Sequence, residues 1–600
     1  MFESPRKSTN RHAWSESQEE LRETQPVSPL KTGSRGRKKK RKQHKQHQQH
    51  PQRQQRSNRS VSIPRLRTGK PSALTLGKGA AFNAEDAIVK GIFEIEKKSC
   101  DVVLTATRVI WTPIEPETPT GESGSWRREE HVELRNVFAV KVKRRRSVGQ
   151  QWGGTLLGLT LFCCVRKGAK LKERPMHLNN LSADHCEVWF RHLKDLLSGF
   201  QDRPKSLMVF VNPTSHRKEA YQTYRDEVAP LFKLADIKAD VTVTKRRGHA
   251  LAILREGQLD AYDGVVCVGG DGSVAEVAHA LLLRAQMDAG RDTDSIFTPV
   301  RAALPLGVIP AGSTDIVACS VHGISHPVTA AMHIIMGHRQ AVDVSSFSSQ
   351  GRLIRFGFSC MFGFGGRTLA LAEKHRWMPP SQRLEFAVIR TLANLKPEDC
   401  ELSFLSVKQD QETTKEPKGQ KILLSRRDSS RNIGEQDVED DEPWVTIQGL
   451  LLNISIMAIP CLCSMAPRGL APNTRLDNGS MSVIAVRNAS RSEFIKHLKR
   501  YGNLNNQFGF PFVETHTARA VRLRPRSRGD WAEDVSEKAA DFDSKNIPII
   551  SSEVSYPWNI DGDLLEVPGE LLIRVHPQLI LLFGVNTEEV DDGPAKCGCI

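Results

Sequence analysis

The chain is 600 residues long and 39% apolar, too much for a single hydrophobic core, so roughly three to four domains are expected. Its net charge of +16 is unevenly spread: 15 Lys and Arg and no acidic residue lie between Lys31 and Lys70, so the basicity belongs to a tail and the rest is close to neutral. The 12 cysteines follow no metal-ligand spacing (Cys163 adjoins Cys164, and Cys461 is one residue from Cys463), which excludes a zinc module or disulfide scaffold as the organising principle.

Met1 to Asn10 is polar and lacks the apolar core of a secretory signal, so a location in the cytoplasm and nucleus is expected. Residues 1–86 are poor in apolar side chains and predict a disordered basic tail. Within it the run Arg37, Lys38, Lys39, Lys40, Arg41 and Lys42 suits an import receptor (an importin), RNA or anionic headgroups, or simply solubilises the chain.

Over residues 87–200, short strand patterns (Ile92 to Ile95, Asp101 to Thr105, Val109 to Thr112, Val132 to Leu134, Val137 to Val142, Leu156 to Val165) precede a Trp-bearing amphipathic helix from Asp184 to Leu197. That order reads as a pleckstrin-homology-like β domain. Lys141, Lys143, Arg144, Arg145 and Arg146 then form a basic patch beside strands, suited to phosphoinositides or another anionic membrane surface, to nuclear import, or to nothing but solvent.

From Arg203 the pattern alternates. Strands are predicted at Leu207 to Val211, Asp240 to Thr244, Asp263 to Val268 and Leu306 to Ile309, with helices at Glu219 to Ala235, Gly248 to Glu256 and Ser273 to Ala289. Alternation of this kind predicts an α/β domain with a parallel sheet over residues 203–344, whose ligands gather at the carboxyl ends of the strands. Residues 345–587 read as a β-rich domain, a β-sandwich, with charged insertions at 407–442 and 525–553, and 588–600 as a tail. The most apolar stretch, Gly449 to Ala466, carries Asn453, Ser455, Pro460 and Ser464 and reads as a buried strand and loop rather than a membrane span.

Cys267-Val-Gly-Gly-Asp-Gly-Ser273 ends a strand and opens a helix. Gly269, Gly270 and Gly272 allow close backbone approach, while Ser273 and the helix start can hold phosphate and Asp271 projects into the cleft; capping of the helix by Asp271 is the structural alternative. Gly312, Ser313 and Thr314 follow the next buried strand, Asn212 and Pro213 close the first, and Thr244 closes the second.

This ordered set resembles the catalytic domain of the diacylglycerol, sphingosine and ceramide kinases. Val228 to Phe232, Tyr262 to Val268, Asp343 to Ser346, Pro467 to Leu470 and Trp558 to Gly562 bring it nearest to the ceramide kinase family. Gly248 to Leu251, Glu276 to Gln286, Met361 to Glu373 and Phe494 to Tyr501 resemble a branch of that family whose phosphate-gripping loop has lost its glycines.

The resemblance implies transfer of the γ-phosphate of ATP, with Mg²⁺, to the hydroxyl of ceramide or a related lipid. Asp271 would act as general base and Asp561 would assist, with Asn212, Pro213, Thr214, Ser215, Arg217, Thr244, Glu276 and Asp563 around the nucleotide. The family's glycine-rich loop is here Thr214-Ser-His-Arg-Lys-Glu-Ala220, without glycine, so nucleotide grip is expected to be weakened. The family's Asp-Gly-Glu is here Asp561-Gly562-Asp563, and Asp477 alone makes a poor Mg²⁺ site, so no metal is expected there. Three readings follow: an impaired lipid kinase acting through nucleotide, lipid, membrane or protein binding in sphingolipid-linked signalling; an active kinase of a sphingolipid or other acceptor; or a nuclear, RNA-associated adaptor. Peripheral association with internal membranes is expected, and Cys597-Gly-Cys-Ile600 has the outline of a prenylation box without its aliphatic middle.

Overall fold

The computed structural model describes residues 86–114, 129–148, 153–215, 218–291, 297–407, 443–471, 473–503, 506–526 and 555–585. The expectations for Arg37 to Lys42, for Arg217, for nearly all of both insertions and for Cys597 lie outside the described residues.

The N-terminal part is an antiparallel sheet of seven strands in the order Glu130–Glu133, Arg108–Pro113, Lys98–Leu104, Val89–Ile95, Lys170–Asn179, Thr155–Lys167 and Val137–Arg145. Helix Ala183–Ser198 closes it, capped by Ser182, and buries Cys186, Trp189 and Leu193 against Phe93, Leu104, Val140 and Leu161. Strand Lys170–Asn179 escaped the sequence pattern because only Leu171 and Leu178 of its ten residues are buried. The strand expected from Val137 to Val142 runs on to Arg145, so Lys141, Lys143, Arg144 and Arg145 lie within it.

This sheet packs on the following domain. Phe138, Ala139 and Leu171 share a core with Leu207, Val209, Ala330 and Met332. The Arg203 guanidinium donates to the carbonyls of Val137 and Arg135, both at 2.7 Å, and Leu171 N donates to Thr329 Oγ1 at 3.1 Å.

Four parallel strands follow in the spatial order Lys238–Val243, Ser206–Val211, Gly264–Gly269 and Leu306–Pro310. The last two are buried throughout, as is the second from Leu207 on, the uniform apolarity of strands covered by helices on both faces. The helix expected over Glu219 to Ala235 is broken by a π-helical turn at Tyr224–Val228, which lets Pro230 sit near the start of Ala229–Leu234. Helix Asp271–Asp288 starts earlier than expected, with Gly270 as its cap residue.

Strand Leu571–Phe583 joins this sheet to the β-rich part. It pairs in parallel with Leu306–Pro310 through Leu582, and antiparallel with Arg339–Ser349 and Val513–Pro525, so 14 strands form one hydrogen-bonded system. Val445–Met457 pairs with Glu398–Ser406 through its first half and with Met481–Arg487 through its second, enclosing a core that includes Phe347, Phe362, Phe404 and Trp558. The single strand expected from Arg352 to Cys360 is two, Arg352–Gly357 and Ser359–Gly363, because the Asp561 carboxylate captures the amides of Phe358 and Ser359 between them. The expected insertion ends also move: Val407 N still donates to Thr517 O, Pro525 ends a strand, and Arg526 pairs with Glu401.

Arg203→Ala leaves the part-buried carbonyl of Val137 and the exposed carbonyl of Arg135 without their donor, and a loss of about 1–2 kcal/mol of stability is expected, mostly from Val137. Arg203→Lys should restore only part, since an ammonium cannot span both carbonyls as the guanidinium fork does. Urea denaturation midpoints of the three proteins check this; identical midpoints would refute it.

Candidate functional site

The strand following Ser206–Val211 in sequence is added on one side of it and Gly264–Gly269 on the other. Connections therefore leave the two carboxyl ends in opposite directions, and a crevice opens between them. A cleft of ≈ 900 Å³ lies there, lined by Asn212, Thr214, Ser215, Thr244, Gly270, Asp271, Gly272, Ser273, Glu276, Gly312, Ser313, Thr314, Asp561 and Asp563. Pro213 and Gly269 are not among the lining residues.

The turns are locked together. Asn212 Nδ2 donates to Ser273 Oγ at 2.7 Å, and Asn212 Oδ1 accepts from Thr214 N and Oγ1 at 3.0 and 2.8 Å. A Cβ at Gly312 would lie 2.5 Å from Gly270 Cα, so glycine is needed where the two turns cross. Asp315, in the left-handed region with φ of 54°, accepts from Gly312 N at 2.8 Å and Ser325 Oγ at 2.9 Å and holds the second turn in place. Thr244 and Glu276 have structural work as well: Thr244 Oγ1 donates to Val211 O, and the Glu276 carboxylate accepts from Ala250 N and Leu251 N, capping helix His249–Glu256.

Asp271 does not cap its helix. Its Oδ1 accepts from Val317 N at 3.3 Å across the cleft floor. Burial pushes its carboxyl up to about 6, with the amides of Val317 and Ile316 pulling down and the nearby Asp315 and Asp561 pushing up. Such a group holds or releases a proton near neutrality. Asp561 is different: only 7% exposed and with φ of 51°, it accepts from Phe358 N, Ser359 N and Ser359 Oγ at 2.8–3.2 Å. Burial raises its pKa, opposed by the Arg355 charge and these donors. Gly357 is required beside it, because a Cβ there would sit 2.2 Å from Asp561 Oδ2. Asp563 is held between two arginines, Arg247 from the opposite wall and buried Arg355, whose Nη1 lies 2.8 Å from Oδ2.

The loop after Asn212 carries side chains where backbone would otherwise face the cleft. Ser215 is buried against Gly269, and Lys218 adopts φ of 68°, a left-handed conformation that glycine takes without strain. Sequence reasoning missed the cations at the rim: Lys245, Arg246, Arg247, Arg376 and Arg383 all line the cleft. The run of three beside Thr244 was readable as charge next to a strand end; Arg376 and Arg383 arrive from another part of the chain and carried no motif. Lys141 and Lys143 are elsewhere. Lys141 joins Lys194 on Asp236, and Lys143 Nζ donates to Asn179 Oδ1 at 3.1 Å; Arg144 Nη1 donates to Gly154 O at 3.3 Å.

Cationic rim, hydroxyls and a helix start fit a phosphate-bearing ligand. Magnesium on a polyphosphate takes one or two protein carboxylates, and Asp271 is the one not committed to cations or several amides. Among the described residues no cluster of three or more His, Cys, Asp or Glu is placed to hold a metal ion by itself.

Since Asp271 binds its proton more tightly in the folded chain than at its ordinary value of 3.8, its favourable contribution is full below about pH 4 and is lost as pH rises through about 6. Asp271→Asn keeps an acceptor for Val317 N and should stabilise the protein by about 1–3 kcal/mol at pH 7.5, with the gain fading by pH 4.5. Thermal melts at both pH values check this, and a gain equal at both would overturn it.

A family model for the diacylglycerol kinase catalytic domain matches residues 206–347, and one for the ceramide kinase C-terminal domain matches residues 358–600. The chain is 52% identical over 538 residues to a human ceramide kinase-like protein, covering 84% of this chain and 92% of that one. It is 35% identical over 425 residues to human ceramide kinase, covering 67% and 78%. A solved diacylglycerol kinase from Bacillus anthracis str. Sterne aligns with a TM-score of 0.37 at 12% identity, over 64% of this chain and 97% of that one. With both family models matched in order and the human ceramide kinase-like protein 52% identical and covered to 92%, the chain belongs to the ceramide kinase family of lipid kinases.

Proposed function

We propose that this protein is a lipid kinase-fold protein whose triphosphate grip is weakened, so that phosphorylation of ceramide is impaired while acceptor-side chemistry remains. One observation carries the reading: between Asn212 and Ala220 no glycine is left, Ser215 fills space beneath Gly269, and Lys218 occupies a glycine-like conformation. A glycine-rich loop grips phosphates by turning several amides toward them without side chains in the way. Arg247 and Arg355 also engage Asp563, lowering its availability to a phosphate-bound metal ion.

Bound ATP with Mg²⁺ would supply the phosphoryl group. Lys245, Arg246, Arg376 and Arg383 would hold its charge, and Asp271 would accept the hydroxyl proton of the acceptor, its carboxylate ionised above about pH 6. Asp561 shapes the floor through the amides of Phe358 and Ser359 rather than meeting the reacting atoms. The retained Asp271 favours a second reading, an active kinase for another sphingolipid or acceptor.

The wider assignment is part of the same proposal: a basic tail over 1–86 for import or RNA, a pleckstrin-homology-like domain over 87–200, the catalytic subdomain over 203–344, a β-rich lipid-binding subdomain over 345–587, and residence in cytoplasm and nucleus with peripheral membrane association. No helix of the described residues is long and apolar enough to cross a membrane.

Calorimetry with Mg²⁺ and ATP on the full chain is the test. Affinity in the millimolar range or weaker is expected; micromolar affinity together with ceramide phosphorylation that Asp271→Asn abolishes would establish the active-kinase reading instead.

A further inference from the structure

The helices Phe364–Lys374 and Pro380–Ala393 pack against each other beside the cleft and expose an apolar surface. Trp377, in the turn joining them, is 79% exposed, Ile389 is 67%, Leu384 is 48% and Phe386 is 37%. The inner side of the second helix is accounted for, since Ala387 and Thr391 are buried and Val388 and Leu392 pack on the core. Phe386, Ile389 and Ala393 make an outward stripe at spacings of three and four, so the exposure is a face and not a single stray side chain.

Cations surround that face. Arg376 and Arg383 stand at its cleft end and Arg390 beside Ile389, with Lys374 and Lys396 at the two helix ends. Glu373, the acidic residue of the first helix, is already bound by Arg376, leaving Glu385 as the opposing charge on the second. Aromatic and aliphatic side chains amid Arg and Lys form the composition that enters the headgroup region of a bilayer and is favoured by anionic lipid. The face is continuous with the site: Arg376, Arg383 and Leu384 line the cleft that holds Asp271.

We propose that this helical hairpin is the membrane-docking surface of the protein, laying Trp377, Phe386 and Ile389 into an anionic bilayer with the cleft mouth facing the lipid. Its purpose, presenting a bilayer-held hydroxyl to Asp271, rests on the lipid-acceptor reading of the cleft, whereas docking itself does not require phosphotransfer. The basic strand of the N-terminal sheet is the competing surface. Lys141 there is committed to Asp236 and Lys143 to Asn179, and that strand exposes no aromatic side chain, whereas the hairpin exposes Trp377 and Phe386.

Sedimentation of the full chain with phosphatidylserine/phosphatidylcholine vesicles, without nucleotide, tests the proposal. The pair Trp377→Ala and Ile389→Glu should lower partitioning by about tenfold or more with an unchanged melting temperature, and Asp271→Asn should leave it unchanged. A cysteine-attached environment-sensitive dye at Ile389→Cys should shift to the blue on vesicle addition. Undiminished binding of the double variant, loss only when Lys143 and Arg144 to Arg146 are neutralised, or equal binding to pure phosphatidylcholine would each overturn the proposal. Binding through the hairpin with no phosphotransfer to any vesicle lipid would leave docking established and sink the active-kinase reading alone.

Discussion

Strand Leu571–Phe583 is the constraint on which the cleft depends, because it is hydrogen-bonded both to the parallel sheet and to the antiparallel strands. Its register shifts near Val342 and Val344, and there the wholly buried Asp343 accepts from Gln578 N at 2.7 Å and from Gly479 N at 2.6 Å. Burial pushes this carboxyl up to about 6, and those amides partly offset the cost. Three chain segments distant in sequence thus meet at one side chain. The wall carrying Asp561 and Asp563 is connected to the wall carrying Asp271 through continuous hydrogen-bonded sheet.

Within that frame the carboxylates of the cleft are placed in unlike surroundings. Asp561 is saturated by backbone and hydroxyl donors, Asp563 is flanked by two guanidinium groups, and Asp271 meets only the amides at the start of the next helix, the Val317 N–H at 3.3 Å. Separating environments in this way separates roles: one group shapes the floor, one ties the walls together, and one keeps an unspent proton affinity. The rim of the cleft carries positive charge on the long side chains of Arg246, Arg247, Arg376 and Arg383, which offer attraction to an anion without the fixed geometry of backbone amides.

The N-terminal sheet is bound to the parallel-sheet domain by shared apolar core, by Arg203 and by the Lys141–Asp236 contact. It behaves as a further layer of the same body. Positive charge that looks available in the sequence is therefore partly consumed in holding layers together, while the hairpin from Phe364 to Ala393 presents apolar and cationic groups together at the cleft mouth.

Sequence alone determined the alternation that makes a parallel sheet, since fully buried strands must be apolar at every position, and the glycine turns at Gly270 and Gly312, since close backbone crossing admits no side chain. It also identified the family and the loss of glycine after Asn212. It did not foresee strand Lys170–Asn179, whose charged residues hide a pattern resting on Leu171 and Leu178, or the break at Phe358, which is imposed by a carboxylate some two hundred residues away. Nor did it separate Asp561 from Asp271, assign Arg247 to Asp563, or bring Arg376 and Arg383 to the rim. Local pattern records what each segment buries; which charges meet is decided only when the long strands close the sheet and bring remote segments within hydrogen-bonding distance.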